Sequence, residues 1–297
     1  MFDPGGTGRD SGRSVNGRRV FVAGLGAALL WPGRARAQSG SAPVSETAWI
    51  PITEAVPLGG TRALRLEATV TRPAAPGRHP LLVFNHGSTG AGRAPATATV
   101  RYPETAAFFV ERRFAVVIPM RRGRGASEGD YRETYECDAR TLARGVERGL
   151  ADVEQAIAWA LAQPWADPSR FLLGGMSRGG FLSILYPSER QTTARGVVNL
   201  AGGWTVERCD ERISFHASTL ARAGRTRLPM LWLYSENDRN YGPAAVRSYH
   251  RAFTQGGGQA ELRIFPPIGN DGHILLPRHP EVWGQAVDDY LRRIGLG

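Results

Sequence analysis

The chain has 297 residues, 42% of them apolar, which is enough for a sizeable core within one α/β domain. Its formal charge of +10 is carried by arginine alone, and six of those arginines, against only Asp3 and Asp10, fall within the first 37 residues. The remainder, about +6 and without a DNA- or RNA-binding motif, argues against a nucleic-acid partner, and the even spread of charge argues against global disorder.

The amino terminus reads as an address. Arg18 and Arg19 precede an apolar run from Val20 to Trp31, and Ala35-Arg36-Ala37 forms a small-x-small cleavage pattern before Gln38. Paired arginines with Phe21 two residues on resemble a twin-arginine export signal. The apolar run is too short to span a bilayer as a permanent helix. Residues 1–37 are therefore expected to be an export signal, 38–47 a linker and 48–297 a catalytic domain that is periplasmic or secreted and has no stable membrane anchor. In an oxidising compartment, Cys137 and Cys209 are a candidate disulfide. Neither sits in a metal-ligand or redox spacing.

Ala48–Ala55 and Ala63–Arg72 alternate apolar and polar residues, as half-buried antiparallel strands do. Leu81–Asn85, Phe114–Met120, Phe171–Leu173, Val197–Leu200 and Met230–Tyr234 are continuous apolar runs, the pattern of strands buried on both faces; Leu262–Phe265 is a weaker one. Helix-period stretches lie between and after them, at Pro103–Arg113, Gly145–Gln163, Pro243–Thr254 and Glu281–Ile294. Strand alternating with helix implies right-handed crossovers and a mostly parallel sheet of about eight strands with helices on both faces. In such sheets the chemistry sits just beyond the carboxyl ends of the strands.

Three of those positions carry a nucleophile, an acid and a base. Phe171–Leu173 runs into Gly175-Met176-Ser177-Arg178-Gly179, a G-x-S-x-G in the strand-to-helix setting that exposes a serine hydroxyl. Met230–Tyr234 is followed by Asp238, with Glu236 and Asp271 as competing carboxylates. Leu262–Phe265 is followed by a Pro/Gly loop and His273, and the order Ser, Asp, His is that of α/β hydrolases. Leu81–Asn85 leads into His86-Gly87-Ser88, where a loop completes an oxyanion hole. The expected donors are the backbone N–H groups of Ser88 and Arg178, with His86 orienting the loop. The glycine series after Phe114–Met120, Gly123, Gly125 and Gly129, lacks dinucleotide and Walker spacing and reads as a tight loop flanking the site. The span from Gly202 to Arg227 holds the one candidate lid and is short, so a short lid or none is expected over an open site.

The segments Asn85–Gly90, Arg121–Tyr131, Gly174–Gly180, Tyr234–Gly242 and Asn270–Leu276 resemble the dienelactone hydrolase-related branch of the α/β-hydrolase superfamily. They also resemble the catalytic domain of prolyl oligopeptidase-type peptidases. The resemblance runs from about Leu64 to the carboxyl terminus and implies a triad at Ser177, Asp238 and His273. Dienelactone hydrolases use a cysteine nucleophile, so serine here points away from dienelactone itself. The expectation is a serine hydrolase of small carboxylic esters, needing no cofactor or metal. A peptidase of small peptides or aminoacyl amides, a cofactor-free perhydrolase and a non-catalytic binding protein on the same scaffold are the alternatives. The sequence leaves the oligomeric state open.

Overall fold

The apolar runs assemble into one eight-stranded sheet in the computed structural model, which describes residues 42–56, 59–88, 98–133, 138–204 and 211–297. In chain order the elements are β1 (Val44–Ala55), β2 (Thr61–Arg72), β3 (His79–Asn85), α1 (Pro103–Glu111), β4 (Ala115–Pro119), α2 (Ala139–Leu161), β5 (Ala166–Met176) and α3 (Arg178–Glu189). Then follow β6 (Gly196–Leu200), α4 (Glu211–Ala223), β7 (Met230–Ser235), α5 (Pro243–Gln255), β8 (Ala260–Phe265), α6 (Gly272–Leu275) and α7 (Pro280–Arg293). Sheet order is β1-β2-β4-β3-β5-β6-β7-β8. The β1–β2 pair is antiparallel and joins β4 antiparallel; every other pairing is parallel.

Burial follows the sequence pattern. All residues of β3, β4, β6 and β7 are buried, as their unbroken apolar runs require, whereas β1 alternates and the outer strand β8 is only half-buried. Chain direction across the sheet reverses at β3, which steps back to β4 before β5 resumes on its other side. Right-handed crossovers then place α1 on one face and α2, α3, α4 and α5 on the other. Helix α7 joins α1, with the Phe108 ring 4.6 Å from Trp283 and Arg112 paired with Asp288. The reversal leaves a crevice above the carboxyl ends of β3 and β5, where open α/β sheets bind ligands.

Several expectations need correction. The sheet begins at Val44, inside the segment expected to be linker. Helix α2 starts at Ala139 and not near Gly145, because Asp138 caps it by accepting the N–H groups of Arg140 and Thr141. Within the span of the candidate lid, α4 is the crossover between β6 and β7, with Leu220 and His216 buried and the His216 ring stacked on Tyr249 at 4.7 Å, in keeping with a short lid or none. The glycine-spaced loop after β4 buries its arginines, pairing Arg121 with Glu133 and Arg122 with Asp152 and Glu54. Residues 1–41, Thr89, Gly90, Cys137 and Cys209 lie outside the described residues. No described helix is long and apolar enough to cross a membrane.

Candidate active site

Ser177 stands between β5 and α3 at φ 53° and ψ −122°, a conformation that costs a non-glycine residue of the order of 1–3 kcal/mol. The turn is tight enough to bar side chains on either side. A Cβ at Gly175 would lie 2.5 Å from the Gly179 backbone, and one at Gly179 would overlap the Asn85 carbonyl. The paired glycines thus let α3 start directly beneath the serine, with its positive dipole end toward it.

The other two residues arrive from neighbouring strand ends. Asp238 follows β7 and is fixed by its own turn, Oδ1 accepting the N–H groups of Asn240 and Tyr241 at 2.8 Å each. Its Oδ2 lies 2.9 Å from Nδ1 of His273, and Nε2 of His273 lies 3.0 Å from Oγ of Ser177. All three side chains are buried. Asp271 does something different: it caps α6 by accepting the backbone N–H of His273 at 3.0 Å. Glu236 is exposed. The structure therefore brings together Ser177, Asp238 and His273, with neither competing carboxylate on the imidazole.

Ser88 and Ser177 both line a cavity of about 850 Å³, whose walls include Tyr102, Met176, Arg239 and Ile274. A wider depression of about 970 Å³ lies at the start of β7, lined by Arg195, Met230 and Tyr290, and holds no nucleophile beside a base. Tyr102 was not anticipated from sequence. It precedes α1 with φ 43°, its ring meets Phe84 edge-on at 5.3 Å, and its hydroxyl accepts the Gly87 N–H at 3.0 Å. Gly87 being occupied, Ser88 is the next donor on that loop. Ile274, 54% exposed, forms an apolar lip.

His86 does orient the loop. Nδ1 donates to the Gly87 carbonyl at 2.6 Å and Nε2 accepts the Arg121 N–H at 3.0 Å, an arrangement only the neutral ring can make. Burial, reinforced by the nearby Arg121 charge, lowers its pKa from 6.5 to about 3. In that interval the unfolded chain binds a proton that the folded chain refuses, so stability falls as pH falls from 6.5 toward 3. The expected loss is at most about 1.4 kcal/mol per pH unit from this residue. Urea denaturation between pH 6.5 and 4.5 should show that slope, and His86→Gln should lose about one proton's share of it; equal slopes would contradict the assignment.

The sequence profile of the X-Pro dipeptidyl-peptidase (S15) family matches residues 60–211, just over half of the chain. Among solved structures, a dienelactone hydrolase-designated protein from Klebsiella pneumoniae subsp. pneumoniae superposes with a TM-score of 0.57 at 18% identity, covering 86% of this chain and 100% of that one. Acetyl xylan esterase 1 from Thermoanaerobacterium sp. superposes with a TM-score of 0.55 at 16% identity, over 86% and 89%. Acylaminoacyl peptidase from Pyrococcus horikoshii gives 0.58 at 16% identity, over 84% of this chain but only 41% of the peptidase. At these identities the likeness is one of fold. No curated protein matches the chain. The profile match over β2 to β6 and the serine turn shows that the chain belongs to the X-Pro dipeptidyl-peptidase (S15) family of the α/β-hydrolase superfamily, and that it is a hydrolase.

Proposed function

We propose that the chain hydrolyses carboxylic esters through an acyl-enzyme on Ser177. The observation that carries this reading is the run of hydrogen bonds from Asp238 through His273 to Ser177 at the floor of an open cavity. Nε2 of His273 takes the serine proton as Oγ attacks the ester carbonyl, and Asp238 stabilises the imidazolium. The backbone N–H groups of Ser88 and Arg178 receive the oxyanion. His273 then returns the proton to the departing alcohol. It next activates water, which releases the acid and restores Ser177.

The family match favours a second reading, a peptidase of small peptides. The rim of the cavity argues for esters. Arg101, Arg239 and Arg278 line it and are exposed; of the two carboxylates that line it among the described residues, Asp271 is committed to capping, which leaves Glu104. A dipeptidyl substrate would bring its terminal ammonium to that arginine-rich rim. A panel of chromogenic esters and matching aminoacyl anilides, including X-Pro anilides, decides. The expected result is ester kcat/KM above that of every anilide. Preferential anilide turnover would replace the reading with the peptidase, peroxide-dependent turnover with a perhydrolase, and no turnover at all with a binding protein.

We further propose that residues 1–37 direct export to the periplasm and that Cys137 and Cys209 pair there. The bond would stabilise the fold by about 4 kcal/mol in the chain-entropy picture. Intact mass of periplasmic protein should show a chain starting at Gln38 and lighter by two hydrogens than its reduced form. Full-length cytoplasmic protein with two alkylatable thiols would contradict both.

A further inference from the structure

We propose that Glu133 is a positioning residue for the oxyanion hole: one buried carboxylate ties together the two guanidinium groups that anchor the residues supplying its two donors. The inference rests on the reading of Ser88 and Arg178 as those donors.

Glu133 lies beyond the loop that follows β4 and is 4% exposed. Its carboxylate accepts from Nε of Arg121 and, at 3.1 Å, from Nη2 of Arg121. The other end of Arg121 grips the donor loop after β3. Its Nη1 donates to the His86 carbonyl at 2.7 Å, and its backbone N–H donates to Nε2 of His86 at 3.0 Å. His86 and Gly87 are thus clamped immediately before Ser88. On the other side, Nη1 of Arg178 donates to the Glu133 carbonyl at 2.9 Å and lies 3.5 Å from Oε2 of Glu133. The same guanidinium donates to the Tyr131 hydroxyl at 2.9 Å and stacks over Trp204 at 4.8 Å. Arg178 is the residue read above as supplying the second donor.

Arg121 and Arg178 are 1% and 0% exposed. Two like charges held out of water repel one another unless an anion sits between them, and Glu133 fills that place. Burial pushes its carboxyl upward, yet the charge and hydrogen bonds of Arg121, with the charge of Arg178, outweigh this and hold it at about 2. The consequence for catalysis is geometric. The two donors sit on loops after different strands, β3 and β5, and stabilise an oxyanion only when both N–H groups converge on one point. Pairing of Asn85 with Gly175 fixes the strand ends, and the Arg121–Glu133–Arg178 bridge fixes what lies beyond them.

The test compares Glu133→Gln and Glu133→Asp with wild type in the mature enzyme. Four quantities are read: kcat and KM for a p-nitrophenyl ester, Ki for a trifluoromethyl ketone, and Tm. The ketone's hemiketal on Ser177 places a negative oxygen in the hole. Displaced donors predict a kcat loss on the order of 10- to 100-fold for Glu133→Gln, with KM changed by less than about threefold. The ketone Ki should rise by the same factor as kcat/KM falls. Glu133→Asp keeps the charge but withdraws it by one methylene, and should recover part of both. A lower Tm with kcat and Ki unchanged in the folded Gln variant would overturn the proposal, leaving Glu133 a structural ion-pair partner. If Glu133→Gln does not fold, Glu133→Asp decides: coupled losses in kcat and ketone affinity support the bridge, and wild-type values for both overturn it. Ser177→Ala in the same assay separates the cases, because persisting turnover there would fault the serine-hydrolase reading rather than the bridge.

Discussion

Ser177→Ala is expected to lower ester kcat on the order of 10⁶-fold, the scale seen when a triad nucleophile is removed, while KM and the circular dichroism spectrum stay near wild type. The structure explains why the loss should be confined to chemistry. Ser177 contributes its Oγ to His273 and little to packing, and the strained turn is held by its glycines and by backbone bonds, including Ser177 N–H to the Leu200 carbonyl at 2.9 Å. Alanine leaves all of these in place. The residual rate measures what the oxyanion donors and substrate binding achieve alone. Activity within tenfold of wild type in steady-state kinetics would remove Ser177 from the mechanism.

The second large effect concerns the acid. Asp238→Asn should lower kcat on the order of 10⁴-fold, because an amide facing Nδ1 favours the tautomer that leaves Nε2 unable to accept the serine proton. Asn237, Asn240 and Tyr241 would remain in place, since the Oδ1 that accepts from the last two survives in the amide. Asp271→Asn should cost far less. Its carboxylate serves the His273 backbone rather than the ring, and asparagine caps helices as well as aspartate does. Glu236→Gln, at an exposed position, should leave kcat unchanged. The check is kcat for the three variants side by side. A larger loss in Asp271→Asn would transfer the acid role to it.

The parts of this protein that were legible in the sequence are those written in local patterns. Continuous apolar runs located β3, β4, β6 and β7, because a strand covered on both faces has no polar side to show. Ser177 and Asp238 stand just after such runs and His273 a Pro/Gly loop beyond the weaker run of β8, so their convergence was legible, since the sheet fixes where strand ends go. The early turns of α2 escaped because Ala139–Arg144 has a single large apolar residue, Leu142; the usable signal was Asp138 in capping position. The charges of the loop after β4 escaped for a different reason. Arg121, Arg122 and Arg124 look solvated in sequence, and the partners of the first two, Glu133, Asp152 and Glu54, come from separate parts of the chain. No periodicity records pairings of that kind. Three arginines packed directly behind a fully buried strand were the one hint, since charge placed there is buried by the residues around it and must be neutralised. The cleft walls, Tyr102 and Ile274, were equally invisible, being assembled only when α1 and α6 meet across the crevice.

The most direct test of the central claim, that Ser177 is the nucleophile of a hydrolase, is covalent labelling of the mature protein with a fluorophosphonate, followed by peptide mass spectrometry. His273 should activate Ser177 alone, giving one adduct per chain on the peptide containing Gly175–Gly179, with ester turnover lost in proportion to labelling and no adduct in Ser177→Ala. An adduct on another residue, or undiminished turnover in protein fully labelled at Ser177, would contradict the claim.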